Sequence, residues 1–246
     1  MRIYIPIGMF SFLPLQGAII GVSTRIRTIH GWKHTKRSVL IQAMNSKGLQ
    51  TRQRILDAAQ NMILSRGFAG TSVDGLIQSL GLTKGAFFHH FDSKSDLAEH
   101  LVQRFADDGV ALFHQFKARA EKFSDDPLQQ LLLIINLYSE LFEGLTEPYP
   151  GCLLAAYVYE LQLFDDDLKP VITAEFRVIR KELGALIGRI KKRYPPRAEV
   201  DPKALADMFS STFEGAFVLS KAFDEPEVTV QQLQLYRTLV ESLFSR

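Results

Sequence analysis

The side chains able to do chemistry are few, and their spacing excludes most of it. His89, His90, His100 and His114, the histidines of the part expected to fold, fall in no HExxH or comparable metal-ligand spacing. No G-x-S-x-G, phosphate-loop or dinucleotide fingerprint occurs. Asp165-Asp166-Asp167 resembles a carboxylate cluster. It stands at an expected helix start, however, where the dipole favours acids, and it reads as a cap and loop. Cys152 is the single cysteine, which leaves no intrachain disulfide and no multi-cysteine metal site and suits a reducing, cytoplasmic setting. Following Pro150-Gly151 at a helix start, it has two readings: a thiolate that meets electrophiles, or a small buried hydrophobe. The chain is not expected to be an enzyme, and no metal or cofactor is expected.

Binding chemistry is better represented. Thr71 to Phe91 reads as two short capped helices joined by a tight turn at Gly81. Phe87 and Phe91, four apart, face inward with Leu82. Thr83, Lys84, Gly85, Ala86 and His89 then project outward, and the small residues let a helix start approach a groove floor. By spacing alone this is equally a plain helical hairpin. The cations Arg52, Arg54, Lys84 and Lys94, spread around it, favour phosphate binding.

The elements that position these residues are helices. From Ser46 onward apolar residues recur at helical spacing without strand alternation. The first stripe, Ile55, Ala58, Ala59, Met62 and Ile63, stops at Gly67. Thr71 with Asp74, and Ser93 with Asp96, form capping-box patterns, and Thr83 caps the short helix between them. The fourth helix runs through about Ala120. Later helices are expected at 127–145, 152–164, 167–193, 202–223 and 229–245, divided by proline-bearing breaks such as Pro148-Tyr149-Pro150-Gly151.

With 46% hydrophobic residues the chain can build one substantial core with a small module attached. The net charge of +2 conceals an asymmetry. Residues 1–43 hold six basic residues and no acid, leaving 23 Lys and Arg against 27 Asp and Glu from Met44 onward. The folded part is therefore no polycation, and contact with nucleic acid must be local. The stretch 1–44 is expected to be a non-functional extension ahead of a start at Met44. Pro6 and Pro14 interrupt its apolar run, so neither a signal sequence nor a membrane span is expected.

The string Leu82-Thr83-Lys84-Gly85-Ala86-Phe87-Phe88-His89-His90-Phe91, followed by Ser93-Lys94 and Leu97, closely resembles the DNA-binding domain of the TetR/AcrR family of regulators. Arg54 to Ala59 and Gly67 to Val73 resemble that family's first helix and the start of its second. Pro150 to Leu154 is similar, more faintly, to an AcrR/NemR-like subgroup. The resemblance implies an all-α chain with a three-helix helix-turn-helix domain over 45–92. A ligand-binding and dimerisation bundle over 93–246 follows it. It implies a homodimeric repressor that holds a palindromic double-stranded DNA operator and is released by a small hydrophobic or electrophilic effector. The alternative is a helical protein-interaction module without operator binding.

Carried over by position, Thr83, Lys84, Gly85, Ala86 and His89 would face bases or nearby backbone. Thr71, Phe88, His90 and Lys94 would meet phosphates. Position 88 is often Tyr in the family; Phe88 here gives up a phosphate hydrogen bond and keeps apolar contact. The aromatic-rich middle helices suggest an effector pocket at Phe105, Phe113, Tyr138, Cys152, Tyr157 and Phe176, although such residues are more often plain core. The last two helices suggest a dimer interface at Leu205, Met208, Phe209, Phe217, Leu239 and Leu243.

Overall fold

The computed structural model describes residues 35–164, 166 and 168–245, with side chains from Lys47 onward. Most of the expected N-terminal extension lies outside the described residues. The remainder is all α: α1 (Thr35–Arg66), α2 (Val73–Leu80), α3 (Lys84–Phe88), α4 (Lys94–Phe123), α5 (Pro127–Glu140), α6 (Leu153–Tyr159), α7 (Leu168–Arg193), α8 (Pro202–Phe223) and α9 (Val228–Phe244). A single 3₁₀ turn, Leu161–Leu163, follows α6.

Local chemistry sets the boundaries. Gly67 and Gly81 end α1 and α2 at φ 75° and 64°, the left-handed conformation that glycine adopts without Cβ strain. Asp126 and Asp201 cap α5 and α8, each carboxylate accepting two backbone N–H bonds ahead of a proline that needs none. At α4, Ser93 Oγ accepts from Asp96 N at 3.0 Å, and Asp96 reaches back to accept from Asp92 N at 2.8 Å. At α2 the expected cap shifts by one residue. Ser72 accepts from Gly75 N at 3.1 Å, whereas Thr71 turns inward and donates to the Gly67 carbonyl at 2.9 Å. The helix expected over 152–164 stops at Tyr159, because Glu160 leaves helical geometry (φ −117°, ψ 23°) and sends its carboxylate elsewhere.

The apolar interior has two large centres linked by α4, whose 30 residues span about 45 Å, and a small third cluster of Phe142, Phe217 and Leu233. The lower centre gathers Ile55, Ala59 and Ile63 of α1, Leu76 of α2, Phe87, Phe91 and Leu101. It is closed by Leu153, Leu154 and Tyr157 of α6 and by Ile172 of α7, so the core runs on past residue 92. The upper centre packs the second half of α4 against α5, α7, α8 and α9. There Tyr236 donates its buried hydroxyl to the Leu205 carbonyl at 2.8 Å, tying α9 to α8.

Candidate nucleic-acid interface and interior cavity

The short helix α3 is held from below. Phe87 and Phe91 are buried with ring centroids 5.8 Å apart, each burial stabilising by roughly 2–3 kcal/mol. Thr83 caps the helix, its Oγ1 accepting from Ala86 N at 3.1 Å. That anchoring leaves Thr83, Lys84, Gly85, Phe88 and His89 exposed, with Ala86 and His90 partly so. Phe88 is 50% exposed, an apolar ring on a polar face. Lys84 Nζ lies 2.9 Å from Asp74 Oδ1 in a pair open to solvent. Such a pair is worth about 0–1 kcal/mol, so a phosphate can compete for the lysine. Arg54 is exposed and reaches the Leu80 carbonyl at 3.4 Å, while Arg52 stacks over Phe91 at 5.0 Å. Burial, then the neighbouring His89 and Arg52, hold His90 below the usual histidine range. It is a neutral donor or acceptor at pH 7 and contributes no charge.

Two expected phosphate contacts are corrected. Thr71 is 4% exposed and its hydroxyl is engaged by Gly67, so it has no side-chain surface to offer. Lys94 is turned inward: Nζ donates to the Phe68 carbonyl at 2.6 Å and sits 4.0 Å from the centre of the Phe68 ring. Burial lowers its pKa against the opposing pull of Glu160. Lys94 is thus a brace within the fold, and its removal should cost stability.

Glu160 was not singled out from the sequence. Its carboxylate accepts from Phe68 N and Ala69 N, both at 2.8 Å, and fastens the end of α6 to the α1–α2 turn. A Cβ at Gly67 would lie 2.7 Å from Glu160 Oε1, so this glycine is required both for its positive φ and for its missing side chain. The partners are more than ninety residues apart in sequence, and no local pattern announces such a bond.

Between α4, α5, α6, α7 and α8 lies a cavity of about 110 Å³. Of the expected effector residues, Phe105, Tyr138, Cys152 and Phe176 line it. Phe113 and Tyr157 do not. Phe113 is buried in the upper core, and Tyr157 stacks on Phe164 in the lower one, with centroids 4.7 Å apart. Two residues expected at the dimer interface, Phe209 and Phe217, line the cavity instead. Leu205 is also buried within the protomer.

The remaining cavity wall includes Glu175 and Glu214, which sequence reasoning missed because each is an isolated acid in a long helix. Burial, reinforced by Glu214, raises Glu175 to about 8. Burial also raises Glu214, although its contact with Cys152 opposes the shift. The Cys152 thiol is itself pushed well up, first by burial and then by Glu214, with the Ala155 N–H opposing. It stays protonated at neutral pH, which removes the basis for an activated thiolate.

On the outer faces of α8 and α9, Met208 and Leu239 are exposed as expected and Leu243 is half-buried. Val218, Leu219 and Leu235 join them on the surface, a set the sequence reading passed over in favour of inward-facing phenylalanines.

Residues 55–101 match the family described as "Bacterial regulatory proteins, tetR family". The chain is 24% identical over 199 residues to an HTH-type transcriptional regulator in the lacX 3′ region of Lactococcus lactis subsp. lactis, covering 78% of this chain and 94% of the relative. It is 25% identical over 170 residues to the HTH-type transcriptional repressor DhaR of Mycobacterium sp. (strain GP1), covering 69% and 82% respectively. Among solved structures, a TetR-family transcriptional regulator from Agrobacterium tumefaciens superposes with a TM-score of 0.66 at 25% identity. The match covers 80% of this chain and all of that one.

Proposed function

Because the chain belongs to the TetR/AcrR family of transcriptional regulators, we propose that its homodimer holds a palindromic DNA operator through α3 and releases it when a small molecule enters the cavity. The observation that carries this reading is the posture of α3. A five-residue helix, anchored by Phe87 and Phe91, leaves Thr83, Lys84, Gly85 and His89 facing outward. In a major groove, Lys84 and His89 supply hydrogen bonds to base edges or nearby phosphates, and Gly85 and Ala86 admit close approach. Phe88 meets a sugar or a thymine methyl. Arg52 and Arg54 supply flanking charge, and His90 a neutral hydrogen bond. The 45–92 segment is the reading unit and 93–246 the sensing and pairing unit.

One such unit reads too few base pairs to select a genomic site, which favours a pair. The exposed apolar residues Met208, Val218, Leu235 and Leu239 are the natural seam for a second copy, packed as two helices from each protomer. Repression is the sign we favour, as the relative DhaR is named a repressor. Action on DNA favours the cytoplasm as its compartment. Among the described residues, no helix is long and apolar enough to cross a membrane.

The test is selection of operator sequences with the purified protein, followed by fluorescence anisotropy across a salt series. Lys84→Ala is expected to weaken binding and to lower the salt slope by about one. An unchanged slope would remove Lys84 from the interface, and failure to select any palindrome would remove the operator reading itself.

A further inference from the structure

The cavity is unusual for an apolar pocket in one respect. Six phenylalanines and two tyrosines line it, yet two carboxylates also face it and, among the described residues, no lysine, arginine or histidine does. Glu175 Oε2 is buried and has no hydrogen-bond partner among the described residues. Among the described residues, Glu214 finds the thiol of Cys152, a weak donor. A buried carboxyl group left without a partner is destabilising, and a chain that needed only a packed core would place a leucine or methionine here. Space has also been reserved for it. A Cβ at Gly109, inside α4, would lie 2.3 Å from Glu175 Oε1, so the carboxyl group occupies the volume that any other residue would fill. A helix-interior glycine costs about 1 kcal/mol relative to alanine, and here it purchases room for an acid.

We infer that the cavity takes an organic monocation, with its charged head at Glu175 and Glu214 and its apolar body against Phe142, Phe213 and Phe217. The two halves of the wall suit the two halves of such a guest. Carboxylates complement the head, and the negative faces of the aromatic rings stabilise a cation that has left water. A neutral hydrophobe of the same shape would fill the same space and leave the acids unanswered. The space is small: a cavity of about 150 Å³ accommodates one benzene, and this one is about 110 Å³, so a guest that carries an aromatic ring enters only as the walls yield.

Entry of the cation favours the ionised form of Glu175, so binding sends a proton from its carboxyl group to the solvent. The titratable groups around Glu175 are Glu214 on α8, Tyr138 on α5, and Tyr149 and Cys152 ahead of α6. Burial pushes all four upward, which keeps the tyrosines and the thiol uncharged at neutral pH. The proton therefore comes from the acids.

The inference rests on the reading of this cavity as the effector site, and its test separates the two. Benzyltrimethylammonium, whose charge does not change with pH, and its uncharged isostere neopentylbenzene are titrated calorimetrically into the full-length protein without DNA. The cation is expected to bind at least tenfold more tightly, with affinity rising between pH 6 and pH 8. Glu175→Gln and Glu214→Gln are each expected to weaken the cation at least tenfold and to leave the neutral compound within a factor of two. Equal or tighter binding of the isostere, no binding of the cation at millimolar concentration, or glutamine variants that still prefer the cation would each overturn the inference. Cation binding that fails to release operator DNA in a parallel anisotropy assay would sustain it and count against the effector reading alone.

Discussion

Glu160→Ala offers the sharpest test of how the reading unit is held. The substitution strips two backbone donors, Phe68 N and Ala69 N, of a charged acceptor at 2.8 Å each, and removes the carboxylate near Lys94. A hydrogen bond to a charged group contributes about 1.5–3 kcal/mol. The Phe68 bond is part-buried and should fall near the middle of that range, whereas water can replace the exposed Ala69 bond at little cost. The expected loss is therefore about 2–3 kcal/mol. For a chain of this size, each kcal/mol moves Tm by about 2–4 °C, so thermal unfolding followed by circular dichroism should show a fall of about 5–10 °C. Glu160→Gln keeps one acceptor oxygen and should fall midway. If the alanine variant melts within about 1 °C of the parent, the clasp is ornamental and the argument for it fails.

Three further outcomes follow from the same structure. Glu175 has a folded-state pKa of about 8 against 4.5 when unfolded, so the folded chain holds its proton more tightly. Stability from this group is greatest below pH 4.5 and declines as pH rises to about 8, by up to on the order of 5 kcal/mol. Calorimetric Tm values should fall across that window, and Glu175→Gln should flatten the trend; a profile indifferent to the substitution refutes the assignment. Val218→Glu with Leu235→Glu places four carboxylates in the proposed two-fold seam, and sedimentation should report a monomer at micromolar concentration; an intact dimer moves the interface elsewhere. Cys152, half-buried and protonated, should react with a maleimide at pH 7 at least tenfold more slowly in the folded protein than in denaturant, and comparable rates would restore the activated-thiol reading.

The parts legible from sequence were those written in local pattern. Glycine stops at 67 and 81, capping residues at 83 and 93, and the Asp126-Pro127 and Asp201-Pro202 starts all act within a few residues, and the structure places these boundaries close to expectation, although α5 ends at Glu140 rather than at 145. Orientation was harder to read. Phe209 and Phe217 looked like interface because hydrophobic periodicity marks a face without saying what covers it; the structure turns them to the cavity and leaves Val218 and Leu235 outside. Lys94 counted as a free cation because charge in a sequence carries no direction, and the Phe68 carbonyl decides its role. Glu175 and Glu214 gave no signal at all. Each is an ordinary helix acid until tertiary packing brings the two to one cavity.

The lower core also bears on how chains of this kind can diversify. Phe68, in the turn before α2, rests against Tyr157 and Phe164, with centroids 5.7 and 4.6 Å away, so the DNA-reading end is finished by side chains encoded far downstream. It is not an interchangeable cassette. A chimera cut at residue 92 would inherit a head shaped for foreign partners and expose its underside to water, so exchanging operator preference between relatives requires that the matching α6 residues travel with it.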